Sequence, residues 1–232
     1  MQLKILSAGA AQGVIAALAA SFNAETGFEI AGTFGAVGAM KEKLLAGEPA
    51  DIIVLTRAQI AELAASAQVV PGASGDLGTV RTGVAVRGAD PAPEIADANG
   101  LRNTLLAADA IFFPDPQRAT AGIHFAKVLG MLGIAAEVAP RLKTFPNGAA
   151  AMREMAGSAG KLLVGVTQIT EINNTAGVKL VGTLPPEFEL ATVYSAGVCR
   201  GAAAPEAARR FVALLCGEAS AAVRKKAGFE LS

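Results

Sequence analysis

The sequence predicts an α/β protein of two lobes, each a mixed, mostly parallel sheet flanked by helices, with two chain crossings between the lobes. Three observations lead there. Short apolar runs of strand character alternate with helical segments, as expected of β-α units that pack helices on both faces of a parallel sheet. Two long β-rich runs, GDLGTVRTGVAVRGA (75–89) and LATVYSAGVC (190–199), bracket an internal α/β stretch, so the second lobe is expected as an insertion within the first. The 232-residue chain is 52% hydrophobic and only 17% charged, enough to bury a large core and too apolar for a disordered segment. Lobe I is expected over 1–82 and 193–232, lobe II over 83–192, with hinges near 82–86 and 191–195.

The elements follow in order. LKIL (3–6) is a strand, and AQGVIAALAASFNAET (11–26) a helix whose Val14, Ala17, Leu18 and Phe22 make one apolar stripe. FEIAGTF (28–34) reads as a strand, AMKEKLLAG (39–47) as a helix ending on Gly47, DIIVL (51–55) as a buried strand and AQIAELAAS (58–66) as a helix. The long run from 75 to 89 alternates Val with polar residues and stops in the Pro-rich turn ADPAPEI. AIFFP (110–114), a helix near 121–132, the strand RLKTF (141–145) and a helix at 148–156 form the second series. KLLVGV (161–166) and VKLVG (178–182) are further strands, and helices at about 205–216 and 218–227 close the chain.

Scarcity narrows the chemistry. Twenty basic residues balance twenty acidic ones, so no global positive field exists to hold a nucleic acid, and an anion must be held locally. One His, two Cys and no CxxC exclude multi-His zinc sites and Cys-rich clusters; no metal and no cofactor is expected. Cys199 and Cys216 read as buried free thiols, with a disulfide as the alternative in an oxidising compartment. No stretch is long and apolar enough for membrane insertion, and a monomer is expected. MQLKILSAG shows no secretory leader; the protein is periplasmic if a leader was removed and cytoplasmic if Met1 is the native start.

In open α/β sheets, ligands bind beyond the carboxyl ends of strands, where helix N-termini present unpaired N–H groups. Four small-residue turns occupy such positions: Ser7 to Ala10, Gly35-Ala36-Val37-Gly38, Thr120-Ala121-Gly122 and Pro146-Asn147-Gly148. Small side chains let several amides approach one ligand. Each hydrogen bond to a charged group contributes about 1.5–3 kcal/mol, so four or five hold a carboxylate or oxyanion without a salt bridge. The alternative for any one turn is that Gly and Ala merely make a tight βα connection. His124, one turn into its helix, is a candidate ligand donor, a structural group, or a catalytic base. Gln168 follows KLLVGV and offers both a donor and an acceptor, with the Thr167 hydroxyl beside it; an ordinary polar helix cap is the alternative. Arg57, Arg81 and Arg87 are candidate positive charges, with Arg81 preferred at the site; a solvated surface position is the competing reading for each. GxSxG, P-loop and strand-associated GxGxxG motifs are absent.

The order of these pieces resembles the molybdate-binding branch of the periplasmic type II solute-binding proteins over nearly the whole chain. The resemblance rests on ILSAGA, TGFEIAGTFGAVGAMKEKLLAGEPADIIVL (AGEPADIIV above all), DPQRATAGIHFAKVLGMLGI, LLVGVTQITEI, GVKLVGTLPPEFE and YSAGV. It implies a cleft between two lobes that closes on a small anion. The family's oxyanion binders place Ser where Ala10 stands and another Ser in the turn now occupied by Ala36-Val37. Their small residue in the third turn matches Ala121, their amide in the fourth matches Gly148, and their Tyr hydroxyl is replaced by Gln168. Losing those hydroxyls points away from molybdate and toward an organic acid. LLAADAIFFPDP, ATAGIHF and GVTQITEI look closer to a side branch that includes aconitate isomerases. That likeness implies, as an alternative, a double-bond shift in a tricarboxylic acid, with His124 as base and Thr120, Arg81 and Gln168 holding carboxylates. The expected role is the binding component of an ABC-type transporter that docks on a membrane permease; molybdate or tungstate binding is a second alternative.

Overall fold

Alternating strand and helix over the first 65 residues builds a three-stranded parallel sheet in a computed structural model of the chain, described for residues 1–231. The first elements are β1 (Gln2–Ala8), α1 (Gln12–Thr26), β2 (Glu29–Gly35), α2 (Val37–Leu45), β3 (Ile52–Thr56), α3 (Arg57–Ala65) and β4 (Val69–Arg87). The chain continues through α4 (Ala98–Ala107), β5 (Ala110–Pro114), α5 (Thr120–Met131), α6 (Ala135–Val138), β6 (Leu142–Phe145), α7 (Gly148–Gly157), β7 (Leu163–Gln168), α8 (Ile169–Asn173) and β8 (Val178–Thr183). It closes with β9 (Ala191–Cys199), α9 (Pro205–Cys216) and α10 (Ala221–Ala227). Two compact units result, Met1–Val80 with Thr192–Ser232, and Arg81–Ala191. Among the described residues no single helix is long and apolar enough to cross a membrane.

In the first unit β1 lies between β2 and β3, parallel to both, and β9 adds antiparallel to β3. Leu3, Ile5, Ile52 and Ile53 fill the sheet interior, each no more than 1% exposed. Three of the four stripe residues on α1 pack as expected: Val14, Leu18 and Phe22 are buried, and the Phe22 ring meets Phe211 of α9 edge-on at 4.8 Å, whereas Ala17 is exposed and Ile15 takes the remaining buried place. Asp51 stitches this unit. Its buried carboxylate accepts the Lys4 amide at 2.8 Å and the Ala204 amide at 3.0 Å. Arg224 does the reverse, donating to the carbonyls of Leu77 and Gly217 at 2.6 Å each and through Nε to the Ser220 hydroxyl at 3.1 Å, so a buried cation is satisfied by two carbonyls and a hydroxyl.

In the second unit β5 lies between β6 and β7, parallel to both, and β4 joins antiparallel to β7 with β8 beyond it. Strand alternation divides the core. Ile111, Phe113, Val164 and Val166 pack with Leu101, Leu105, Phe125 and Val128 of α4 and α5. Phe112 and Leu163 pack with Met152 and Met155 of α7 and Ile172 of α8. Both units are therefore mixed, mostly parallel sheets flanked by helices.

Three sequence expectations need correction. Residues 98–107 carry no assignment in the sequence reading, yet form α4, started by Asp97, whose carboxylate accepts the Gly100 amide at 2.8 Å. Asn and Thr in the middle of that segment mask a helix that its buried Leu101 and Leu105 secure by packing. The first long β run begins at Val69 rather than 75. Cys199 is a buried free thiol, but Cys216, also free, is only half-buried. Burial, then the nearby Asp51 charge, pushes the Cys199 thiol up to about 12, and burial pushes Cys216 to about 11; both stay protonated and poorly nucleophilic near neutrality.

Asp51→Ala leaves the Lys4 and Ala204 amides without their acceptor. It is expected to cost about 2 kcal/mol of unfolding free energy, read by urea denaturation as a lower midpoint at unchanged slope.

Candidate functional site

In the first unit the parallel register sets Ala8 beside Gly35 and Ser7 beside Phe34, so the turns leaving β1 and β2 are neighbours at one sheet edge. Ser7 is buried and its hydroxyl donates to the Ala8 carbonyl at 2.9 Å. Ala10 lies in a single 3-10 turn, Gly9–Ala11, that leads into α1. Gly35, Ala36 and Val37 are buried, and Ala36 precedes α2 in an extended conformation. Neither α1 nor α2 receives a hydrogen bond from a capping side chain. By contrast, α3, which follows β3 in the same unit, is capped by the Thr56 hydroxyl. Ala and Gly thus leave the first-turn amides of two helices without the side-chain acceptor that a Thr supplies to the third.

In the second unit Thr120, half-buried, opens α5, followed by buried Ala121 and Gly122. This helix too lacks a side-chain cap. A Cβ on Gly122 would sit 2.3 Å from the carbonyl oxygens of Pro114 and Asp115, so only glycine lets α5 start this close to β5. The fourth turn behaves differently. Asn147 caps α7 by accepting the Ala150 amide at 2.9 Å. The Glu171 carboxylate then takes the Gly148 amide at 3.1 Å, the Ala149 amide at 3.4 Å and the Thr167 hydroxyl at 2.6 Å. A Cβ on Gly148 would stand 1.9 Å from Thr167 Oγ1. Two residues expected to meet a ligand, Thr167 and Gly148, are therefore engaged by an internal carboxyl group.

Desolvation raises the Glu171 carboxyl above its ordinary 4.5, opposed by these hydrogen bonds, that of Thr167 first. Glu171 carries no assignment in the sequence reading. The four-residue spacing from Thr167 to Glu171 in TQITE was its only signal, and it looks the same as a solvated helix face.

The remaining candidates divide cleanly. Each arginine is paired: Arg81 with Glu189, Arg57 with Asp76, and Arg87 with Asp90, the last at 2.7 Å. The Asp76 carboxyl also accepts the Ser195 hydroxyl. His124 is half-buried, and its Nε2 donates to the Phe188 carbonyl at 2.7 Å. The carbonyl can only accept, so the proton sits on Nε2 and only Nδ1 remains to take another.

Gln168 ends β7 and is 2% exposed, yet neither its amide nitrogen nor its carbonyl oxygen has a hydrogen-bond partner. Its cross-strand partner is Thr82 of β4, whose hydroxyl is equally buried and unpartnered, as is that of Thr170. Thr82 and Thr170 were not singled out in the sequence; nothing in a lone Thr marks it as unsatisfied.

A family model described as bacterial extracellular solute-binding protein matches residues 3–230. An aconitate isomerase of Pseudomonas sp is 26% identical over 240 residues, covering 98% of this chain and 87% of that one. Among solved structures, the periplasmic molybdate-binding protein of Azotobacter vinelandii superimposes with a TM-score of 0.80 at 20% identity, covering 99% of both chains. The sulfate-binding protein of Mycobacterium tuberculosis does so with 0.73 at 16%, covering 99% of this chain and 86% of the other.

The raised Glu171 carboxyl binds more protons in the native than in the unfolded chain at any pH between 4.5 and its native value. Its contribution to stability is full below 4.5 and is lost as pH rises through the native value. The stability of the protein relative to a Glu171→Gln variant, whose amide does not titrate, is thus expected to fall as pH rises above 4.5. Denaturant unfolding at each pH measures it, and a flat difference contradicts the assignment.

Proposed function

The chain belongs to the bacterial extracellular solute-binding proteins and carries their type II periplasmic-binding fold, and on that premise we propose that it binds a small organic acid as the binding component of an ABC-type transporter. The observation that carries this reading is the neutrality of the candidate positions. The first turns of α1, α2 and α5 lack side-chain caps, the arginines are matched by carboxylates, and Gln168 is buried with unused hydrogen-bonding capacity. Amide dipoles hold a carboxylate well, since each N–H to an ionised oxygen contributes about 1.5–3 kcal/mol.

Alanine at positions 10 and 36 offers no hydroxyl of its own, which favours a planar carboxylate over a tetrahedral oxyanion that needs donors on every side. Ser7, whose hydroxyl faces its neighbour's carbonyl, supports the site through its backbone. Delivery to a membrane permease follows from the role proposed.

The aconitate isomerase relative, alignable over 98% of the chain, favours a second reading: a double-bond shift in a tricarboxylic acid. His124 would be the base, working through Nδ1, because Nε2 is held by Phe188. The Nδ1 nitrogen would have to lie within hydrogen-bond reach of the carbon that loses the proton.

Thermal unfolding against a panel of di- and tricarboxylates, molybdate, tungstate and sulfate tests the first reading. A carboxylate at one hundred times its Kd adds about 2.7 kcal/mol, or roughly 5–10 °C for a chain of this length. Stabilisation by molybdate or tungstate alone overturns it. Incubation with trans-aconitate and product analysis tests the second, and a His124→Ala variant with full turnover would exclude that residue as the base.

A further inference from the structure

Gln168 and Thr82 are the most buried polar side chains in the second unit that the fold leaves unserved. They face each other across the β4–β7 ladder as direct partners, so their side chains leave the same side of the sheet. The preceding residue, Thr167, points the other way, where its hydroxyl is taken by Glu171. Backbone groups beside the pair are also spent: the Thr82 amide donates to the Leu190 carbonyl at 3.0 Å, and the Thr82 carbonyl accepts the Leu184 amide at 3.2 Å. Arg81 next along the strand is paired with Glu189. The Thr170 hydroxyl, two residues beyond Gln168, is buried and unpartnered as well. Buried polar atoms almost always have partners, and three side chains left open so near one another in sequence and pairing point to an absent ligand.

The bonding capacity of the pair says what that ligand carries. Two hydroxyls and the amide nitrogen of Gln168 can donate to ligand oxygens, whereas the Gln168 carbonyl can only accept. A fully ionised carboxylate or a donor-free tetraoxyanion has acceptors alone and would leave that carbonyl orphaned. We infer that Gln168 and Thr82 are specificity-determining residues that select an anion bearing its own O–H donor, with the ligand's hydroxyl donating to Gln168 Oε1 and its oxygens accepting from Gln168 Nε2 and Thr82 Oγ1. The ligand class is thereby a hydroxylated acid rather than a plain carboxylate, molybdate or sulfate. This rests on the anion-binding reading above and narrows it; an unsaturated tricarboxylate such as aconitate lacks the donor and is disfavoured.

The test uses matched ligands on the intact protein, followed by calorimetric titration. Malate against succinate and citrate against tricarballylate differ by one hydroxyl, and phosphate against sulfate asks the same of a protonated inorganic anion. The hydroxylated member of at least one carboxylate pair is expected to bind roughly tenfold tighter or more, because a buried acceptor left unpaired is costly. A preference confined to phosphate over sulfate keeps the donor requirement but overturns the hydroxy-acid class. Equal affinities within every pair overturn the inference while leaving anion binding intact, and no binding by any member overturns both.

Two variants separate recognition from structure. Gln168→Met and Thr82→Val remove unsatisfied polar atoms at nearly constant shape. Each is expected to raise the unfolding temperature of the ligand-free protein while weakening binding, and Gln168→Met to bring the affinity ratio within a carboxylate pair close to one. A lower unfolding temperature with the ratio unchanged would mean that these side chains serve the fold instead. Should either variant fail to fold, the wild-type affinity ratios decide alone.

Discussion

Arg81 is held by Glu189, Arg57 by Asp76, and the Glu171 carboxylate by the Thr167 hydroxyl and two amides at the head of α7. Charges so matched offer little net field to an incoming anion. On the function proposed, recognition would be left to neutral dipoles, which act over short range and demand a close, well-directed fit. At the strand ends the small residues Ala10, Gly35, Ala36, Ala121 and Gly122 are themselves buried and add no polar side chain. The zero net charge of the chain likewise gives no long-range attraction to an anion.

Helix starts after the parallel strands show three solutions to one physical problem. A helix N-terminus presents N–H groups that need acceptors. At α3 a threonine hydroxyl supplies one, at α7 an asparagine and a buried glutamate do so together, and at α1, α2 and α5 no side chain does. The buried glutamate is informative about the rest. It shows that a hydroxyl and two amides at the α7 start do not fully offset the desolvation of a carboxylate, so the proton affinity of the group is raised.

Much of the architecture is legible without coordinates. The run DIIVL becomes β3, Val14, Leu18 and Phe22 of the predicted stripe lie on the buried side of α1, and the order of β-α pieces matches the two sheets. The α4 helix is not, because Asn103 and Thr104 weaken its local signal and only packing of Leu101 and Leu105 into the unit's core stabilises it. At the candidate site Gln168 stands out from its position directly after a buried strand. Gly148 and Thr167 stand out equally, and there the structure reassigns their hydrogen bonds to Glu171.

Composition, periodicity and the small residues at strand ends were determined by the sequence itself: an α/β solute-binding fold, neutral overall, with corners built of alanine and glycine. Tertiary structure alone decided which polar groups are satisfied from within. The partner of Gly148 lies 23 positions away, and the backbone groups that saturate Thr82 come from Leu184 and Leu190 on a distant stretch of chain. Hydrogen bonds are short-ranged and directional, so whether a buried side chain is served or left open depends on where remote segments come to rest, which no local pattern records.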